Sequence, residues 1–192
     1  MNSTTQHHTI ISLVEDKPGV LARVASLFRR RGFNIASLAV GHSEQVGLSR
    51  MTFVVSGDEY TVDQATKQLD KLVDIVKVAD ITEADMVARE LALIKVATTL
   101  QTRSQIIEIV QLFRAKIVDV GSQSVVVETT GEEAKIDALI ELLEPFGITE
   151  LMRTGRVAMV RGKSTGEISD NFITNYLSEN NNRAAAREVG SY

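Results

Sequence analysis

The segment Glu15-Asp16-Lys17-Pro18-Gly19-Val20-Leu21-Ala22-Arg23 gathers the residue types best suited to holding a small charged molecule. Proline stiffens the turn and glycine lets backbone and ligand approach closely. The first amide N–H groups of a helix, which have no intrahelical acceptor, attract a carboxylate. The same residues would also build an ordinary strand-to-helix turn, so spacing alone leaves two readings open, a carboxylate-binding loop and a structural cap. Asn34 adds a side-chain amide that both donates and accepts. It suits the polar head of an amino acid, and it equally suits the backbone of the turn after Gly32.

Other polar groups offer less. His7 and His8 are neighbours on a polar start, and adjacent side chains there do not complete a metal site. His42, beside Ser43 and Glu44, reads as a solvated turn residue, since sequence proximity supports no Ser/His/Asp arrangement. Arg29, Arg30 and Arg31 have a sufficient explanation in the negative end of a helix dipole, and no helix-turn-helix pattern accompanies them. Neither G-x-x-x-x-G-K-[ST] nor a G-x-G-x-x-G after a strand is present, so no catalytic, metal or nucleotide apparatus is legible.

The composition sets the frame for these residues. The 192-residue chain has 21 Lys+Arg against 25 Asp+Glu, a formal net charge of -4, and 44% hydrophobic residues, which excludes disorder for most of its length. It has no cysteine, hence no disulfide framework, thiolate nucleophile or Cys-ligated zinc. No apolar run approaches the about 18 residues of a membrane span, and the polar start lacks the features of a leader, so the cytoplasm is the expected location. Mild acidity argues against nucleic acid or an anionic membrane as partner.

The elements that must position the loop follow from periodicity. Thr9–Val14 reads as a strand and Asp16–Gly19 as a turn. Val20, Leu21, Val24, Leu27 and Phe28 recur at helical spacing, with Gly32 as a left-handed stop. Asn34–Val40 and the alternating Met51, Phe53 and Val55 form a hairpin. Val62, Ala65, Leu69, Leu72 and Val73 mark a second helix with Thr61 and Gln64 at capping-box spacing, and Ile75–Ile81 closes the unit. The order β-α-β-β-α-β is that of a ferredoxin-like sheet with two helices on one face. After a polar connection at Thr82–Arg89 the order repeats from Leu91 to Met152, with an extra strand at Val157–Val160. The fold class is therefore α+β, two ferredoxin-like βαββαβ domains in tandem. The expected boundaries are a flexible start (1–8), a first domain (9–82), a linker (83–89), a second domain (90–162) and a flexible or partly helical tail (163–192).

The run LVEDKPGVLARVASLFRRRGFNIASLAVGHSEQVGLSRMTFVVSGDE resembles the amino-terminal ACT domain of the small, regulatory subunits of acetolactate synthase, also called acetohydroxyacid synthase. The likeness continues through QLDKLVDIVKVADIT, RELALIKV, FRAKIVDV and RTGRVAMVRG, from Thr9 to Gly162. It implies a non-catalytic subunit that activates a catalytic large subunit and confers feedback inhibition by valine, leucine or isoleucine. It further implies a homodimer and an amino-acid site at the ACT interface. Carried over, the site comprises Val14 as apolar wall, Asp16, Gly19, Val20 and Leu21 in the loop and helix start, and Asn34 and Ile35 from the neighbouring protomer. Asp16 stands where the family often has Asn. Thiamine diphosphate, magnesium and FAD would reside on the large subunit, with no cofactor on this chain. The competing expectations are a stand-alone ACT-type amino-acid sensor or co-regulator and a small enzyme on the same fold.

Overall fold

The computed structural model describes residues 6–162, which divide into two compact units, one drawn mainly from the chain up to Met86 and the other mainly from Val87–Met159. The first contains β1 (His7–Glu15), α1 (Val20–Arg31), β2 (Asn34–His42), β3 (Leu48–Ser56), α2 (Glu59–Leu69) and β4 (Ile75–Asp80). Its sheet order is β2-β3-β1-β4, with β1 antiparallel to both of its neighbours. This is the ferredoxin-like arrangement, in which the central β1 is buried on both faces from His8 to Val14.

The stripe read from periodicity on α1 is the buried one, Val20, Val24, Leu27 and Phe28. Phe28 stacks on Phe53 of β3 with ring centroids 5.5 Å apart, and Phe33 meets its edge at 5.8 Å. Gly32 ends α1 in the left-handed conformation at φ 69°, donating to the last carbonyls, a conformation that only glycine takes without steric cost. Helix α2 packs through Val62, Ala65 and Leu69.

Three local expectations are corrected. The cap of α2 is Asp58, whose carboxylate accepts from the Thr61 amide at 2.8 Å, and Thr61 itself lies within the first turn. Residues 7 and 8 are not a loose start. His7 pairs with Ser56 and His8 with Val55, because β1 extends to the full length of β3. His8 is buried, with Nδ1 3.7 Å from an Asp80 oxygen. The connection between the units is shorter than 83–89, because the next strand opens at Met86. The expected tail, 163–192, lies outside the described residues.

The second unit contains β5 (Met86–Ala97), α3 (Arg103–Leu112), β6 (Lys116–Val120), β7 (Ser124–Gly131), α4 (Glu133–Leu143), a 3-10 turn at Glu144–Phe146, β8 (Ile148–Arg153) and β9 (Val157–Val160). The order β6-β7-β5-β8 repeats that of the first sheet strand for strand, and β9 is a further partner of β5. Ile94, Val96 and Val127 meet Ile106 and Val110 of α3 and Ile136, Leu139 and Leu143 of α4 in one apolar core. At its margin the buried Glu90 carboxylate is held by Arg153 at 2.6 Å, and that guanidinium also reaches Asp137 at 2.7 Å.

Two outcomes follow for stability. Phe28→Ala removes a fully buried ring that contacts two others, and a loss of about 3–5 kcal/mol is expected in urea unfolding followed by circular dichroism. At Asp58, hydrogen bonds from the Thr61 side chain and then its amide hold the carboxyl below its ordinary value. A lowered folded-state value stabilises above the unfolded aspartate range and ceases to do so as pH falls through the folded value. Asp58→Ala should therefore lower the unfolding midpoint at pH 7, with the gap from wild type narrowing toward pH 3. A gap independent of pH would show that the carboxylate is not the cap.

Candidate functional site

The loop between β1 and α1 is held in place by its backbone. The Glu15 amide donates to the Asp74 carbonyl at 2.9 Å, and the Asp16 amide donates to the Gly47 carbonyl in the β2–β3 turn at 2.8 Å. Gly19 then takes φ 89°, ψ -10°, a left-handed conformation that turns the chain directly into the helix. A side chain there would meet nothing closer than Arg23 Nη1 at 3.8 Å, so the constraint on this position is the dihedral and not space. Arg23, one turn into α1, forks onto the buried Asp74 carboxylate with contacts of 2.5 and 2.8 Å and fixes the helix start against the beginning of β4.

The head of α1 has no side-chain cap. The Val20 amide reaches the Lys17 carbonyl at 3.4 Å and the Arg23 amide the Gly19 carbonyl at 3.0 Å. Among the described residues no backbone acceptor is found for the amides of Leu21 and Ala22. Two donors at a positive helix end suit an anion, and Asp16 stands four residues before the helix opens at Val20.

The other residues expected at the site fall into three groups. Val14 and Val20 are 1% and 3% exposed and form the packed floor beneath the loop, while Leu21 is 46% exposed and presents its side chain at the surface. Asn34 is exposed and Ile35 half-buried, at the opening of β2. They are not beside the loop within one chain. β2 forms a hairpin with β3, so its last residue, His42, lies at the loop end of the sheet, where Leu48 pairs with Glu15, and Asn34 lies at the other end. Eight strand steps separate them, about 26 Å at the usual rise per residue.

One neighbour of the loop is not evident from the sequence. His42 Nδ1 lies 3.2 Å from Asp16 Oδ2, joining the end of β2 to the loop. Its signal was present only as a histidine at the end of a hairpin strand, which by itself points to solvent. The turn that carries it is closed by the Ser43 amide on the Leu48 carbonyl at 3.0 Å, and the Glu44 carboxylate within it meets Arg50 at 3.1 Å. The Glu44 carboxyl is held below its ordinary value by its own backbone amide, with Arg50 and Ser43 acting in the same direction against desolvation. Arg30 and Arg31, read as partners of the helix dipole, line a separate cleft of about 400 Å³ with Leu27, Gln68, Lys71 and Leu72, and none of the loop residues borders it. Among the described residues no cluster of three or more His, Cys, Asp or Glu could hold a metal.

Comparison with known proteins covers both units. A family model described as an AHAS small subunit-like ACT domain matches residues 10–77, and one described as the small subunit of acetolactate synthase matches residues 89–162. The acetolactate synthase small subunit of Mycolicibacterium smegmatis is 55% identical over 162 residues, covering 84% of this chain and 95% of that protein. A probable acetolactate synthase small subunit of Archaeoglobus fulgidus is 57% identical over 155 residues, 81% of this chain and 97% of its own length. The crystal structure of the small subunit from Thermotoga maritima superposes with a TM-score of 0.77 at 45% identity, covering 82% of this chain and 99% of that one. With its loop, its two ferredoxin-like sheets and these matches along both, the chain belongs to the acetolactate synthase small-subunit family.

Proposed function

We propose that this protein activates a catalytic large subunit of acetolactate synthase and makes it sensitive to feedback inhibition by valine or a related branched-chain amino acid. The observation that carries the effector reading is the pair of amides at Leu21 and Ala22, which have no backbone acceptor among the described residues, at the end of the loop that holds Asp16. The amides suit the carboxylate of an amino acid and Asp16 its ammonium. Leu21, over the packed Val14 and Val20, offers an apolar surface to the side chain. Discrimination among valine, leucine and isoleucine then rests on single methylenes, each worth about 1–3 kcal/mol.

The position of Asn34 and Ile35 supports a homodimer as the effector-binding form. They belong to the terminal strand of the sheet, at the end away from the loop, so a site that uses both needs a second copy. Pairing β2 with β2 of another chain would satisfy its unpaired backbone groups and close the edge. In this reading residues 9–82 are the effector-binding domain and 90–162 the second small-subunit domain, with β5 drawing in the end of the 83–89 connection. The catalytic partner carries the thiamine diphosphate, magnesium and FAD and condenses pyruvate with a second 2-oxo acid, in the cytoplasm. Valine acts by binding one arrangement of the subunits better than another, and a coupling of about 1–3 kcal/mol is enough to change partner activity several-fold.

The test is acetolactate formation by a matching large subunit with and without this chain and valine. Wild type should raise the activity and valine should lower it again. Gly19→Asp places a strained residue and a competing carboxylate at the helix head, and Asn34→His alters the far end of β2. Both variants should keep activation and lose at least tenfold in valine sensitivity. If wild type neither activates nor sensitises the large subunit yet binds valine, the protein is a stand-alone amino-acid sensor and the regulatory reading is wrong.

A further inference from the structure

We infer that the cleft between α1 and α2 is a second binding site, for a compact anion of two or more negative charges such as a phosphate or a small polycarboxylate. The cleft encloses about 400 Å³, within the range of small-molecule sites. Its walls are Leu27, Arg30 and Arg31 of α1 on one side and Gln68, Lys71 and Leu72, at the end of α2 and just beyond it, on the other. None of the residues proposed for the amino-acid effector borders it, so the inference stands apart from the effector reading.

Charge sets this cleft apart. Arg30, Arg31 and Lys71 line it, and no carboxylate does. Other cations of the first unit are matched to acids, Lys17 to Glu15, Arg23 to Asp74, Arg50 to Glu44 and Lys67 to Asp63. Among the described residues Arg30 and Lys71 have no hydrogen-bond or ion-pair partner, and the Arg31 guanidinium is met by the Gln68 side-chain oxygen, a neutral acceptor, at 3.1 Å. The dipole of α1 accounts for Arg30 and Arg31 as residues of its last turn, but Lys71 comes from the opposite wall and lies outside that account.

Three positive groups around one small volume repel each other, and a bound anion relieves that repulsion only if it carries enough charge to face all of them. A single carboxylate does not. The donors also suit a multivalent oxyanion: a guanidinium offers a planar fork to two oxygens, and an ammonium offers a point charge to a third. The Arg31–Gln68 bond ties the two walls together while using one of the five N–H groups of that guanidinium. Buried Leu27 and half-buried Leu72 give the cleft an apolar side, where opposite charges are screened less than in open water.

The experiment is calorimetric titration of the full-length protein with pyrophosphate and, separately, with citrate, at neutral pH and a constant ionic strength of about 0.15 M set with sodium chloride. Wild type should bind at least one of them with a dissociation constant of about 1 mM or tighter, and the tighter of the two identifies the class, phosphate or polycarboxylate. Arg30→Gln and Lys71→Gln should each weaken binding about three- to fivefold, the range that an exposed charge pair supports, and the double variant should lose it. Lys67→Gln removes the same charge outside the cleft and should bind as wild type does. Because Arg30 and Lys71 hold no partner, their variants should unfold in plain chloride at the wild-type midpoint or above it, which separates lost binding from lost structure. Equal affinity in wild type and the double variant, an equal loss in Lys67→Gln, or no binding of either anion beyond that of chloride would overturn the site.

Discussion

The left-handed turn at Gly19 governs the first unit. It lets the chain leave the most buried strand of the sheet and enter α1 without an intervening loop, so the helix head is delivered to the end of β1 with its first amides facing outward. A residue with a side chain would resist that dihedral, and a residue that capped the helix would consume the amides left open at Leu21 and Ala22. The Arg23–Asp74 fork and the Asp16–Gly47 contact then hold the loop from two directions, from the start of β4 and from the β2–β3 turn. The combination of an uncapped helix end and a tightly held backbone is what a preorganised anion site requires, since the cost of ordering the loop is met in folding and not at binding.

The two units solve the same packing problem with different residues. In each, the first strand is central and flanked by the third and fourth, and two helices cover one face. The first unit relies on an aromatic contact, Phe28 on Phe53, whereas the second is built from branched aliphatic residues, with the Glu90–Arg153–Asp137 group at its margin. The turn before α3 is closed by Thr99 and Thr102, which hydrogen-bond to each other and to the amides of Thr99, Gln101 and Thr102, where α1 is preceded by the Pro18-Gly19 turn.

Much of the fold was legible along the chain. Apolar positions at helical spacing located α1 and α2, and β-branched runs between turn residues located the strands, because burial on one face imposes a period that sequence records directly. The expectations that needed correction all concern ends. The α2 cap falls on Asp58, β1 begins at His7, and β5 at Met86, because strand ends are set by the length of the partner strand and caps by local dihedrals, neither of which has a period.

For the candidate site, the sequence by itself determined the chemistry on offer: a Pro-Gly turn, a helix start without a capping side chain, an acidic residue before it and an amide-bearing residue after the helix. Only the tertiary structure decided which of these meet. Asp16 and Gly19 share one loop because they are neighbours in the chain, whereas the direction of β2 carries its first residue, Asn34, away from that loop and its last residue, His42, onto it. The physical reason is that a contact across a sheet depends on strand order and direction, which are settled by the packing of the whole unit and by no short stretch of residues within it.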